Sequence, residues 1–166
     1  MLRLIGSAMI GIVCAAYGFG RAATLRRRCD FMREFLNSLA VLEAEISFGR
    51  APLGEIFKKL DAPELFGLYS DCAKNLPEHG IKKAWQCSAE HAADAASLYK
   101  AERDAVCSFG TDLGKSDVEG HKKATERITR LISGYAAAAE DEYSRMGRVW
   151  RSMGLLAGAM CILVFM

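Results

Sequence analysis

Apolar positions recur at helical spacing along almost the whole chain. From Thr24 to Gly49, Leu25, Cys29, Met32, Leu36, Leu39 and Ile46 follow steps of four and three, with Leu42 thickening the stripe where Glu43 interrupts it. That period puts them on one face of an amphipathic helix. "GRAP", Gly49 to Pro52, ends this helix, and Pro52 suits the first turn of the next, "PLGEIFKKL". Asp61 before "APELFGLYSDCAKNL" predicts another helix start, with Pro63 near its first turn, and Pro77 to Gly80 predicts a break. Ile81 then opens a helix through Trp85 toward Ala95, and Ala96 to Leu113 continues or restarts it.

The final helix is the longest. Gly114 supplies a left-handed stop, and Ser116 to Glu119, "SDVE", is a Ser-x-x-Glu capping box for a new helix. Val118, His121, Thr125, Ile128, Ile132, Tyr135, Ala139, Glu142, Met146, Val149 and Met153 then keep a three-four repeat, and no proline follows up to Met166. Roughly fifty residues of helix would extend about 75 Å. Heptad spacing favours a partner helix, and the stretch after the first apolar segment carries the same repeat. The fold class is all-α.

Both ends of the chain lack charge. Seventeen uncharged residues, "LIGSAMIGIVCAAYGFG", separate Arg3 from Arg21, and the fifteen after Arg151, "SMGLLAGAMCILVFM", carry none. At ~1.5 Å per residue they cover about 25 and 22 Å, against a hydrocarbon core of ~30 Å. Met1 and Leu2 lengthen the first, and snorkelling of Arg21 and Arg151 extends both toward the headgroups. Two terminal transmembrane helices are therefore expected, residues 1–21 and 151–166, around a helical bundle of residues 22–150. A cleaved signal peptide is the rival reading of the first segment, since "CAAYGFGRAA" offers small residues to a peptidase, but the single Arg3 makes a weak basic region. For the second, the rival is a buried helix of a soluble protein.

Charge orients the chain. All twenty acidic residues lie between Asp30 and Glu142, where fourteen Lys and Arg leave a body six charges negative. Arg21, Arg26, Arg27 and Arg28 follow the first span, and Arg145, Arg148 and Arg151 precede the second, with only Arg3 on the far side. The positive-inside rule then places the middle of the chain in the cytoplasm and both termini across the membrane. These membrane-flanking arginines also suit anionic lipid. Nucleic acid is a poor match, because the basic residues adjoin the spans and the body is acidic.

Candidate chemistry is sparse. "FGTDLGKSD", Phe109 to Asp117, invites comparison with a phosphate loop, G-x-x-x-x-G-K-[ST], but only three residues separate Gly110 from Gly114. The preceding "YKAERDAVCSF" has helical spacing where a buried strand should lie. The six cysteines include no C-x-x-C pair, and Cys87 with His91 gives at most half a metal site, needing ligands such as Cys72 or His79. His79, His91 and His121 show no nucleophile-base spacing. No cofactor, metal or small-molecule substrate is expected. Small residues four apart, Ser7, Gly11 and Ala15 in one span and Gly154 and Gly158 in the other, would let two membrane helices approach closely.

Two motifs carry a family resemblance. "LEAEISFGRAPLGEIFKKL", Leu42 to Leu60, and "FGTDLGKSDVEGHKKATERI", Phe109 to Ile128, resemble the stage III sporulation protein AB family of endospore-forming bacteria. Leu42, Glu45, Ile46, Gly49, Pro52 and Leu53 carry the first motif, and Phe109, Gly110, Leu113, Gly114, Ser116 and Asp117 the second; "MLRLIGS" and "RVWRSMGLLAG" extend the likeness to the whole chain. The chain departs from the family pattern at His121, where glutamine is usual, and Phe48, where tyrosine is usual. The resemblance implies a bundle similar to the cytoplasmic domains of type II secretion platform proteins. It also implies a non-enzymatic subunit of the channel complex between mother cell and forespore, on the mother-cell side of the outer forespore membrane. There it would couple a secretion-type ATPase to the channel. Gly49, Pro52, Gly114 and Ser116 are the expected structural turns, and Glu45, Arg50, Glu55, Lys115 and Asp117 beside them are candidate partner contacts, although turn and cap chemistry alone accounts for these residue types. A general secretion platform or lipid-binding scaffold, and a small ATPase using Gly110 to Ser116, are the alternatives.

Overall fold

The computed structural model describes residues 2–48, 52–113 and 118–165. Every regular element among them is helical, as the periodicity requires: α1 (Leu2–Phe48), α2 (Leu53–Lys59), a 3-10 turn (Pro63–Leu65), α3 (Leu68–Ala95), α4 (Lys100–Leu113) and α5 (Val118–Phe165). The chain forms two compact units, one made of Met1–Cys29 with Ala138–Met166 and the other of Asp30–Ala137.

The second unit is built around an indole. Trp85 of α3 is fully buried, and the rings of Phe109, Tyr69, Phe57 and Phe35 surround it at centroid distances of 5.5, 5.6, 6.0 and 6.4 Å. All four pairs are tilted or edge-on, the arrangement favoured by ring quadrupoles. Burial leaves the indole N–H needing a partner, and Trp85 Nε1 donates to the Val106 carbonyl at 2.8 Å. Room for so large a side chain comes from Gly110. A Cβ there would lie 2.3 Å from Trp85 Cδ1 and 2.7 Å from its Cβ, so the indole rests directly on the α4 backbone. Small buried residues on α3, Ala84, Ala89, Ala92 and Ala93, line the same core.

The α1 stripe is wider than its sequence pattern. Met32, Leu39 and Leu42 are buried as expected and Leu36 is half-buried, but Phe31 and Phe35, outside the expected row, are fully buried. A narrow three-four row describes contact with one partner helix, whereas Phe35 meets Trp85 from α3 and Phe109 from α4. One turn on, Ser38 Oγ donates to the Phe35 carbonyl at 2.7 Å and therefore accepts from the Tyr69 hydroxyl, also at 2.7 Å.

Loop chemistry refines the expected boundaries. Pro52 sits at the N-cap of α2, its carbonyl accepting from Glu55 N at 2.9 Å, and Glu55 and Lys58–Lys59 place charges of favourable sign at the two ends of that helix. Asp61 does not start a helix. Phe66 (φ 49°) and Gly67 (φ 78°) are both left-handed, so the chain turns after Leu65 and α3 begins only at Leu68. The break at Pro77 to Gly80 proves to be a kink, with helical structure running through Pro77 and a single non-helical residue at Gly80 (φ 70°, ψ 164°). Between α3 and α4 the helix does restart. Ser97 (φ 58°) adopts the left-handed position of a Schellman stop, with Leu98 N donating to Ala93 O and Ser97 N to Asp94 O. Glu102 then receives the Tyr99 N–H at 2.9 Å, capping α4. Gly49, Gly114 and the Ser116 cap lie outside the described residues, as do Arg50, Lys115 and Asp117.

Two outcomes follow from the core. Gly110→Ala gains helix propensity yet drives a methyl into the stem of Trp85, so it should cost about 1–3 kcal/mol, read as a lower denaturant midpoint. A Trp85→Leu background should remove most of that cost, and additive losses would refute the contact. The buried Cys72 thiol is the second case, because burial raises its pKa from 9.0 to about 12. The folded state then holds this proton longer than the unfolded chain, so its contribution to stability is complete below pH 9 and is lost as pH rises toward 12. Cys72→Ala should therefore flatten the alkaline slope of stability while lowering stability at neutral pH, and an unchanged slope would contradict this assignment.

Candidate functional site: an apolar antiparallel helix pair

In the unit formed by residues 1–29 and 138–166, small residues let two helices meet backbone to backbone. A Cβ on Gly18 would stand 2.6 Å from the Trp150 carbonyl oxygen and 2.9 Å from Gly154 Cα, and one on Gly158 would stand 2.9 Å from the Gly11 carbonyl oxygen. Successive contacts run in opposite directions along α1 and α5: Gly11 with Gly158, Gly18 with Gly154, Tyr17 and Arg21 with Trp150, and Arg28 with Glu142. The helices are antiparallel. Of the expected small-residue rows, Gly11 meets Gly158, whereas Gly154 meets Gly18, which with the buried Ala22 the sequence reading passed over.

The α5 repeat changes phase here. Thr125, Ile128, Ile132 and Ala139 are buried as the heptads predict, but Met146, Val149 and Met153 are exposed, and Gly147 and Gly154 are buried one position later. Packing by small residues reverses the usual inside-out rule, because glycine brings the backbones together and the large apolar side chains are left outside. Met9, Ile12, Val13 and Tyr17 on α1, and Met153, Leu155, Leu156 and Met160 on α5, are each more than half exposed. Single exposed apolar residues need no explanation, but a surface made of them does. Among the described residues, however, no helix is long and apolar enough to cross a membrane.

Charged groups adjoin this surface. Arg21 stacks over the Trp150 ring with its guanidinium carbon 5.5 Å from the centroid, and Tyr17 meets Trp150 edge-on at 6.3 Å. Arg26, Arg27 and Arg148 are exposed; Arg145 pairs with Asp141 at 2.9 Å, and Arg151 Nε donates to the Gly147 carbonyl at 3.1 Å. Arg28 differs from the other six. It is only 4% exposed and bonds the half-buried Glu142 at 2.5 Å, so its charge is committed inside the protein, and removing Glu142 would take this carboxylate from a buried guanidinium.

The remaining candidates are dispersed. Glu45 of α1 pairs with Lys59 of α2 at 3.3 Å, and Glu55 is exposed in the first turn of α2. Gly110 lies within α4 and accommodates Trp85, so it is not a loop glycine. Among the described residues no three His, Cys, Asp or Glu side chains are grouped to hold a metal. Cys29 and Cys72 are buried and Cys87 is exposed.

A packed helical body and a glycine-seamed, outwardly apolar helix pair define an all-α protein. Residues 3–166 match the family described as stage III sporulation protein AB, and the chain belongs to that family. It is 31% identical over 172 residues to the stage III sporulation protein AB of Bacillus subtilis (strain 168), with the whole of both chains covered. A solved structure of a stage III sporulation protein AB shares the fold with a TM-score of 0.62 at 29% identity, covering 70% of this chain and 96% of that one.

The seam gives a direct test. Gly11→Leu and Gly158→Leu should each abolish association of the two apolar helices in a membrane-association assay, because neither backbone can retreat from the added side chain. Unchanged association in both would remove the close contact.

Proposed function

We propose that this chain is a membrane-anchored, non-enzymatic subunit of the stage III sporulation channel complex, which couples or assembles a cytoplasmic secretion-type ATPase with the channel. The observation carrying this reading is the outward-facing apolar surface of the helix pair, from Met9 to Phe19 on α1 and Val149 to Met160 on α5. Lipid is the solvent that suits such a surface, and the uncharged stretches of 17 and 15 residues around it agree. Arginines on the body side of both stretches favour a cytoplasmic body with the termini across the membrane, in the outer forespore membrane on the mother-cell side. Family membership supports the role in sporulation. Charged residues of the two family motifs, Glu45, Arg50, Glu55, Lys115 and Asp117, are the proposed contacts for the ATPase or another subunit.

The full-length chain should stay with membranes through alkaline carbonate extraction and dissolve only in detergent. In intact cells a membrane-impermeant maleimide should label Leu2→Cys and Met166→Cys but leave the exposed Cys87 untouched until the membrane is opened. Recovery as a dissolved monomer without detergent would end the membrane reading, and labelling of Cys87 from outside would reverse the orientation.

A further inference from the structure

The helix pair carries a groove as well as a seam. Val13, Tyr17 and Gly18 of α1 and Trp150, Met153, Gly154 and Ala157 of α5 line a cavity of about 350 Å³. Gly18 and Gly154 form its floor, since the close backbone contact there leaves no side chain to fill the space. Its walls are hydrocarbon and aromatic rings along the whole length.

One end is chemically different. Arg21 lies one helical turn beyond Tyr17, and its guanidinium covers the Trp150 ring. Among the described residues, neither the Tyr17 hydroxyl nor Trp150 Nε1 has a hydrogen-bond partner within the protein. A cation and two unused donors thus stand at the mouth of an apolar slot, and Tyr and Trp favour the level where acyl chains meet headgroups. Arg21 is exposed and stacks on a ring rather than pairing with a carboxylate, so its charge is available to an anion. An apolar side chain from a partner helix would fill the slot but leave this polar mouth unanswered.

We infer that the groove is a binding site for an anionic glycerophospholipid, one acyl chain lying over Gly18 and Gly154 and the phosphate headgroup held by Arg21 beside Trp150 and Tyr17. The inference rests on the membrane reading above and adds to it a defined site with headgroup selectivity. Diffuse attraction by a set of arginines would favour anionic lipid too, but without a defined site and without dependence on Arg21 in particular.

The test uses the full-length chain reconstituted into phosphatidylcholine vesicles doped with phosphatidylglycerol or phosphatidylcholine bearing brominated acyl chains, which quench tryptophan only at close range. Trp150→Phe provides the blank, since Trp85 is buried in the other unit. At equal mole fraction, brominated phosphatidylglycerol should occupy the site about fivefold better than the choline lipid, the advantage expected of one well-placed arginine. Arg21→Gln should abolish that advantage, Ala157→Phe should reduce quenching by both lipids by filling the slot, and Arg148→Gln, at an exposed arginine outside the groove, should change nothing. Equal quenching by the two lipids in protein that floats with the vesicles would overturn the site while leaving the membrane reading intact. So would a loss from Arg148→Gln equal to that from Arg21→Gln. Protein that does not float would overturn both.

Discussion

The helical body depends on one contact, the indole of Trp85 lying against the bare backbone of Gly110. Trp85 is in ring contact with Phe35, Phe57, Tyr69 and Phe109, which come from α1, α2, α3 and α4, so a single side chain is the shared neighbour of four helical segments. Dispersion and burial on this scale typically make a core tryptophan worth about 3–5 kcal/mol on truncation to alanine. Orientation is set by its polar atom. The bond from Nε1 to the Val106 carbonyl takes an acceptor on α4 one turn before Gly110, so the residue that needs space and the residue that supplies it are fixed in register. Around that centre Ser38 and Tyr69 satisfy each other's buried hydroxyls without charge.

The helix pair uses glycine for the opposite purpose. In the body, Gly110 admits a large side chain; at Gly18 and Gly158, absence of a side chain admits another backbone. Close approach moves the large apolar residues outward, which in water would be a liability and in lipid costs nothing. Polar chemistry is then confined to the end nearer Arg28, where the ion pair of that buried guanidinium with Glu142 joins the helices. A pair with one buried member adds little net stability compared with apolar packing, but it penalises misalignment, because a slip separates the buried guanidinium of Arg28 from the Glu142 carboxylate. Glycine spacing sets the distance between the helices and the ion pair resists sliding.

Helix content and the buried positions Met32, Leu39 and Leu42 of α1 and Thr125, Ile128, Ile132 and Ala139 of α5 were readable from periodicity, because the three-four repeat is a direct consequence of one buried helical face. What was misread has physical causes. Phe31 and Phe35 were missed because α1 faces several neighbours, so its buried arc is wider than a two-helix seam. Met146, Val149 and Met153 were assigned inward because hydrophobicity was taken to mark the interface, and a glycine seam inverts that rule. The stop at Ser97 had no glycine to announce it, and the late start of α3 depends on left-handed Phe66, a residue type that seldom adopts that conformation. For the site, the sequence placed Gly11, Gly154, Gly158 and the arginine collars in the relevant region. It did not separate Arg28, buried with Glu142, from Arg21, stacked on Trp150, because partners 114 residues apart leave no local pattern.

The motif around Gly110 shows how one string of residues supports two incompatible chemistries. Glycines near a lysine and a serine suggest a loop whose N–H groups face a phosphate, and that requires an open, non-helical backbone. In the structure Gly110 is helical, so its N–H is engaged along α4 as for any interior residue, and the missing side chain serves the indole instead. The two uses are mutually exclusive at this residue, because opening the backbone to bind an anion would withdraw the surface on which Trp85 rests. The same constraint explains why Phe109 and Gly110 belong together. One ring packs edge-on against the indole at 5.5 Å while its neighbour in sequence provides the gap beside it, so this part of the family-like motif is a statement about core geometry. Chemistry for recognition then has to come from elsewhere on the molecule, and the exposed apolar helices with Arg21 at the mouth of their groove are where unused donors and unsatisfied surface coincide.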